Sequence, residues 1–142
     1  QEIGPGSTHA SRTLSLRIGG EKVLREIVIG VFQALTEASE TKVLFRRFRV
    51  EVLRERIIAY LRGEWGGAAY YGPDLWVGHA HIGITNPQFD AMIKQYSVMF
   101  DKLRLPKQER RECIDSLERM RAALVDGDLR YQKMYLKHAE QK

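Results

Sequence analysis

Two histidines mark the segment where the residue types of this chain could bind a metal. His79 and His81 stand two residues apart in a stretch rich in glycine and tyrosine between Ala68 and Thr85. A neutral imidazole nitrogen is a common ligand for a transition metal. A lone histidine is more often structural, so the metal hypothesis depends on the surrounding chain. Cys113, the only cysteine, predicts neither a disulfide framework nor a cysteine-based zinc site.

Four apolar stripes at helical spacing surround the two histidines and must position them. The stripes consist of Val23, Leu24, Ile27, Val28, Val31, Phe32 and Leu35; of Val50, Leu53, Ile57, Leu61 and Trp65; of Phe89, Met92, Ile93, Tyr96, Met99, Phe100 and Leu103; and of Ile114, Leu117, Met120 and Leu124. Such spacings predict amphipathic helices, and no segment alternates as a strand would. We therefore expect an all-α fold.

The connection between the second and third predicted helices is the unusual one. It covers about eighteen residues from Ala68 to Thr85, longer than most links between packed helices. Asn86 is predicted to cap the helix that follows, with Pro87 in the first helical position. Because long loops in compact domains are often functional, this connection is the first place to look for a site.

Composition narrows the class of protein. A chain of 142 residues with 44% hydrophobic residues fits one globular domain. The apolar runs are too short to cross a membrane, so we expect a soluble, cytoplasmic protein without a membrane partner. The net charge is +5, and arginines are concentrated in the second predicted helix and the residues before it, at Arg46, Arg47, Arg49, Arg54, Arg56 and Arg62. Because glutamates are interspersed, a solvated helix face is favoured over binding of nucleic acid.

The chain is expected to have three parts. Residues 1–12 lack hydrophobic periodicity and are expected to be a disordered or vector-derived N-terminal segment. Residues 13–126 are expected to form the folded domain. Residues 127–142 contain helix-forming residues and are expected to form a C-terminal helical extension.

Several short motifs follow one another in a distinctive order. They are Leu16-Arg17-Ile18-Gly19-Gly20-Glu21, Val31-Phe32, Leu44-Phe45, Gly66-Gly67 with Tyr71-Gly72, His79-(x3)-Gly83-Ile84-Thr85-(x3)-Phe89, and Leu105-Pro106. Their order and approximate spacing resemble the truncated globins from about Leu16 to Val125, and the resemblance is closest to group I. Each motif is weak by itself, and the ordered series carries the resemblance.

The resemblance implies a two-over-two helical sandwich that binds haem b. It implies that His79 ligates the iron, whereas His81 is a solvated residue or a neighbour of the ligand. Residues two positions apart, as His79 and His81 are, do not lie on the same face of a helix. It further implies that a set of residues lines the haem pocket, namely Phe32, Phe45, Leu53, Arg56, Ile57, Tyr60, Leu61, Leu75, Ile84 and Phe89. Arg56 is the candidate partner of a haem propionate.

The distal side, opposite the iron ligand, departs from the pattern that the resemblance leads us to expect. Many relatives carry tyrosine at the position of Phe32 and glutamine at those of Leu53 or Ile57. Loss of such a donor should cost about 1.5 to 3 kcal/mol, or roughly ten- to a hundredfold in oxygen retention. We expect an apolar pocket that releases oxygen quickly, around five-coordinate ferrous iron. The Tyr60 hydroxyl is the one group that could replace the missing donor.

Three functions remain open. The first is binding of a diatomic gas, O2, CO or NO, for sensing, transport or storage. The second is a nitric oxide dioxygenase that needs an external reductase. The third is a haem-free interaction module, for which the arginines are the only support. We expect a monomer or a weak homodimer.

Overall fold

A computed structural model describes residues 12–46, 49–66 and 84–125 of the chain. Within these ranges every regular element is helical. The α-helices are α1 Leu14–Ile18, α2 Glu21–Glu37, α3 Val50–Gly66, α4 Asn86–Lys102, α5 Lys107–Glu118 and α6 Arg121–Leu124, and a 3-10 helix covers Lys42–Phe45. The all-α prediction is confirmed for these ranges.

The helices form two contacting pairs. Helix α2 packs against α3, helix α4 packs against α5, and a long contact between α2 and α4 joins the pairs. Gly30 permits this contact, because a Cβ atom at that position would lie 2.5 Å from the Sδ atom of Met99. The pairing provides a single core that includes Trp65 and Phe100.

The turn between α1 and α2 depends on two glycines. Gly19 and Gly20 have φ angles of 125° and 89°, a region that residues with a Cβ atom rarely adopt. The Gly20 N–H donates to the Ser15 carbonyl at 2.7 Å, which ends α1. Helix α1 thereby lies against α2, α3 and α5.

The helices differ from the sequence predictions in four respects. Thr85, and not Asn86, caps α4: the Thr85 Oγ1 atom accepts from the Gln88 N–H, and Gln88 Oε1 accepts from the Thr85 N–H. The reason is that this reciprocal capping box satisfies two N–H groups, whereas a single asparagine would satisfy one. The last stripe spans two helices, α5 and α6, and both α1 and the 3-10 helix lack a predicted counterpart.

Buried polar contacts hold α5 against α1 and α3. The Arg17 guanidinium donates to Glu109 at 3.0 Å and to Glu112 at 2.7 Å and 3.0 Å. Glu109 is only 3% exposed, so the ion pair neutralises a buried charge. The Trp65 indole N–H donates to Ser116 Oγ at 2.7 Å.

None of the helices in the described ranges combines the length and apolar composition that a membrane span requires.

Candidate ligand-binding site

An apolar cavity lies among α2, α3 and α4. It encloses about 50 Å³, enough for a few molecules of diatomic or water size, since one water needs roughly 10–15 Å³ of such space. The residues that line it are Phe32, Leu35, Thr41, Leu44, Phe45, Leu53, Ile57, Ile84, Gln88, Phe89, Met92, Tyr96, Met120 and Leu124. Most of these side chains are apolar, so the cavity favours an uncharged ligand.

Two aromatic rings form one end of the cavity. Phe32 reaches it from α2 and Phe45 from the 3-10 helix, with ring centroids 5.8 Å apart and planes tilted by 57°. Phe32 is buried and Phe45 is half-buried. The 3-10 helix brings Phe45 to this position immediately before the chain continues towards α3.

Helix α3 contributes one turn of its apolar stripe. Leu53 and Ile57 are buried and line the cavity, whereas Leu61, one turn further, is buried in the core outside its lining. Arg56 is half-buried and has no ion-pair partner in the described ranges. Tyr60 packs partly on the core, and its hydroxyl donates to Glu64 at 3.2 Å.

The wall formed by α4 is held at its N-terminal end by α6. Ile84 and Phe89 line the cavity, and the Arg121 guanidinium lies 4.6 Å from the centroid of the Phe89 ring. Arg121 also donates to Asn86 Oδ1 at 3.0 Å and to Asp90 Oδ1 at 2.6 Å. This arrangement fixes the start of α4 next to the cavity.

Of the described residues that line the cavity, three have polar side chains, and two of these bond to the protein. The Thr41 hydroxyl donates to the Leu35 carbonyl at 2.7 Å. Gln88 belongs to the α4 capping box and also donates to the Glu40 carbonyl at 3.1 Å. The Tyr96 hydroxyl makes no hydrogen bond to any residue of the described ranges, and Tyr96 is 1% exposed.

Tyr96 was not among the site residues predicted from the sequence, which placed it only in an apolar stripe. It follows Phe89 by seven residues and Met92 by four, so all three share one face of α4. A tyrosine at this spacing on an otherwise apolar face was the available signal. Whether that face bordered a cavity depended on the packing of α2 and α3 against it.

The predicted iron ligand lies outside the described ranges. Leu75, His79 and His81 all fall in 67–83, as does nearly all of the long connection. The other two histidines, His9 and His138, also lie outside. In the ranges that the structure does describe, no group of histidine, cysteine or carboxylate side chains could hold a metal ion. The assignment of His79 therefore stays a prediction.

Some arginines of the basic stretch that begins before α3 and continues into it form ion pairs. Arg62 forms a forked contact with Glu21 at 2.7 Å and 2.9 Å, which lowers the pKa of Glu21 through the hydrogen bonds from the guanidinium. Arg54 lies 3.8 Å from Glu55, which also accepts from Arg25 at 2.8 Å. These contacts are those of a solvated, internally paired helix face.

The chain matches the family model described as bacterial-like globin over residues 13–126. No curated protein sequence matches it.

Solved structures of truncated haemoglobins resemble the fold. The Fe(III) form of truncated haemoglobin from Tetrahymena pyriformis has a TM-score of 0.73 at 19% identity, with 80% of this chain and 98% of that chain covered. Haemoglobin from Chloroflexus aurantiacus has a TM-score of 0.70 at 22% identity and 81% and 98% coverage. Group II truncated haemoglobin from Bacillus anthracis has a TM-score of 0.70 at 18% identity and 80% and 90% coverage. These similarities confirm the truncated globin fold.

Proposed function

Because the chain belongs to the bacterial-like globin family, we propose that it is a haem protein that binds a diatomic gas in the cavity among α2, α3 and α4. The family implies a haem cofactor and gas binding; haem b is the specific form that we propose. The observation that carries this proposal is the apolar cavity itself, whose walls come from Phe32, Phe45, Leu53, Ile57 and Phe89. When bound, the haem would supply the iron that coordinates the gas.

The size of the cavity suits the gas better than the macrocycle. About 50 Å³ accommodates a diatomic molecule but not a porphyrin, so the macrocycle would lie beside this cavity. The apolar and aromatic side chains at the cavity fit a porphyrin face, which is also apolar. Arg56, half-buried and without an ion-pair partner in the described ranges, is available for a propionate.

We propose His79 as the iron ligand, on the resemblance of its segment to the proximal signature of truncated globins. His81 remains the competitor because it lies two residues away. With one histidine on one side and an apolar cavity on the other, ferrous iron should be five-coordinate. We also propose Leu75 and Ile84 as neighbours of the haem.

The faces that α2 and α3 turn towards the cavity carry no side-chain donor. Phe32, Leu53 and Ile57 present only carbon atoms there. The hydroxyl of Tyr60 bonds to Glu64, and Tyr60 is not part of the cavity lining. Tyr60 is therefore unsuited, in this conformation, to replace a donor from α2 or α3.

Absorption spectra of the ferric, ferrous and CO states test the proposal directly. We expect a Soret band in the purified protein and five-coordinate ferrous haem. His79→Ala should lose haem or its normal axial ligation, whereas the matched variant His81→Ala should keep both. Haem retained with normal ligation in His79→Ala would defeat the assignment, and absence of a Soret band after reconstitution with haemin would defeat the function.

We propose that the domain extends over 13–126, that 127–142 forms a helical extension, and that the chain falls in group I and acts in the cytoplasm as a monomer or weak homodimer. A gas-binding role in sensing, transport or storage is preferred to nitric oxide dioxygenation. Consumption of nitric oxide by the oxygenated protein, measured against autoxidation and with a reductase supplied, separates the two roles.

A further inference from the structure

Among the described residues that line the cavity, one polar side chain makes no hydrogen bond to any residue of the described ranges. Thr41 and Gln88 direct their polar atoms to backbone groups at 2.7 Å to 3.1 Å. Tyr96 lines the same cavity, is 1% exposed, and makes no hydrogen bond within the described ranges. Its ring is held by the core, with the Phe100 ring centroid 6.1 Å away. Of the polar side chains that the described ranges contribute to the cavity, Tyr96 alone is thus left to bond to an occupant.

We infer that Tyr96 donates a hydrogen bond to the gas ligand in this cavity and thereby sets the preference of the protein for oxygen over carbon monoxide. The inference rests on the proposed function, because it concerns a ligand bound at haem iron. It revises the expectation from the sequence that the pocket lacks a donor: α2 and α3 supply none, and α4 does.

The energetics of burial support this role. A hydroxyl removed from water without a partner destabilises the folded state, and groups of this kind in native proteins commonly have a functional explanation. An acceptor that arrives with the ligand would supply the missing partner. Bound oxygen carries partial negative charge and is a good acceptor, whereas bound carbon monoxide is much less polar.

The protonation state of the phenol is suited to donation. Burial, with a smaller contribution from nearby Cys113, raises the pKa of Tyr96 above its ordinary value. The hydroxyl consequently keeps its proton at neutral pH and can donate to an acceptor. Because α4 is fixed at its N-terminal end by its capping box and by Arg121, the ring has a defined position along the cavity.

The test compares two tyrosines that differ in their surroundings. Tyr96→Phe removes the hydroxyl of a residue that lines the cavity, and Tyr60→Phe removes one that is bonded to Glu64 outside the cavity lining. We expect Tyr96→Phe to release oxygen about tenfold faster and to release carbon monoxide at an unchanged rate. Tyr60→Phe should leave both rates unchanged. Stopped-flow measurements on the haem-loaded protein give these rates.

The infrared stretching band of bound carbon monoxide is a second measurement that detects a hydrogen-bond donor near the ligand. A nearby donor polarises the ligand, so the band should shift in Tyr96→Phe and stay in place in Tyr60→Phe. In the unmodified protein, a band at the position typical of a pocket without donors would contradict the inference even if the variant did not fold.

The possible failures are distinguishable. Normal Soret and carbon monoxide spectra, together with equal oxygen release in the unmodified protein and Tyr96→Phe, would overturn the inference and leave the proposed function standing. Faster release in Tyr60→Phe alone would overturn it by assigning the donor to Tyr60. A protein that takes up no haem would overturn both proposals.

Discussion

Two buried regions of the molecule differ in whether their polar side chains are hydrogen-bonded to the protein. Where α5 meets α1 and α3, Arg17 neutralises Glu109 and Ser116 accepts from Trp65, so the buried polar atoms of these residues are satisfied by protein partners. At the cavity on α4, Tyr96 keeps a hydroxyl for which the described ranges supply no partner. The first pattern stabilises a fold, whereas the second leaves a hydrogen bond for a ligand.

Removal of the Arg17 guanidinium should produce the largest loss of stability. Arg17→Met would remove the guanidinium that bonds to Glu109, whose side chain is only 4% exposed. We expect the free energy of unfolding to fall by about 3 kcal/mol, measured by urea denaturation. Arg62→Met is the matched control, because its pair with Glu21 is 46% exposed on both sides and should contribute less than about 1 kcal/mol. Equal losses would show that burial does not distinguish the two pairs.

Deletion of one hydroxyl in each region tests the comparison most directly. Ser116→Ala would leave the buried Trp65 N–H without its acceptor, and we expect a loss of about 1 to 3 kcal/mol. Tyr96→Phe removes a hydroxyl that has no partner in the described ranges, so the unfolding free energy of the ligand-free protein should not fall and should rise by up to about 1 to 3 kcal/mol. A comparable loss in both variants would mean that Tyr96 bonds to the protein.

High pH should weaken the packing between the two regions through Cys113. Burial raises the pKa of this thiol to about 12, whereas an unfolded cysteine titrates near about 8.5. The folded state thus holds a proton that the unfolded state loses, and stability is complete below about pH 8.5 and declines from there towards pH 12. The contribution of the Cys113 thiol lowers the free energy of unfolding by an amount that approaches about 1.4 kcal/mol per pH unit.

Denaturation of the unmodified protein and of Cys113→Ala between about pH 9 and 10 isolates that contribution, because the window lies largely below the ordinary titration of tyrosine. The variant loses side-chain packing at every pH, so the slopes are compared rather than the absolute values. Parallel slopes would mean that Cys113 ionises as readily in the folded protein as in the unfolded chain.

The sequence predicted the helices well because their apolar spacing is local. The stripes from Val23 to Leu35, from Val50 to Trp65 and from Phe89 to Leu103 correspond to α2, α3 and α4. The cap of α4 was assigned one residue late, since a capping box depends on how Thr85 and Gln88 orient towards each other. The short α1 was missed because five residues carry too little periodicity.

The candidate site was predictable only in part. Six residues that the resemblance suggested lie together at the cavity, namely Phe32, Phe45, Leu53, Ile57, Ile84 and Phe89. Arg56, Tyr60 and Leu61 do not line it. Leu61 shares the helix face of Leu53 and Ile57 but lies one turn beyond the cavity, in the core, and the Tyr60 hydroxyl bonds to Glu64. Leu75 and His79 lie outside the described ranges and stay predictions.

By itself the sequence determined the helical periodicity, the two glycines of the first turn and the order of motifs that identifies the family. The periodicity and the turn depend on residues close together in the chain, and the order of the motifs can be read along the chain without knowledge of its folding. Only the tertiary structure decided that Tyr96 borders the cavity while Tyr60 bonds to Glu64, and that Arg17 meets Glu109 across 92 positions. Both tyrosines belong to packed helices, and which hydroxyl meets a cavity depends on how those helices pack against one another.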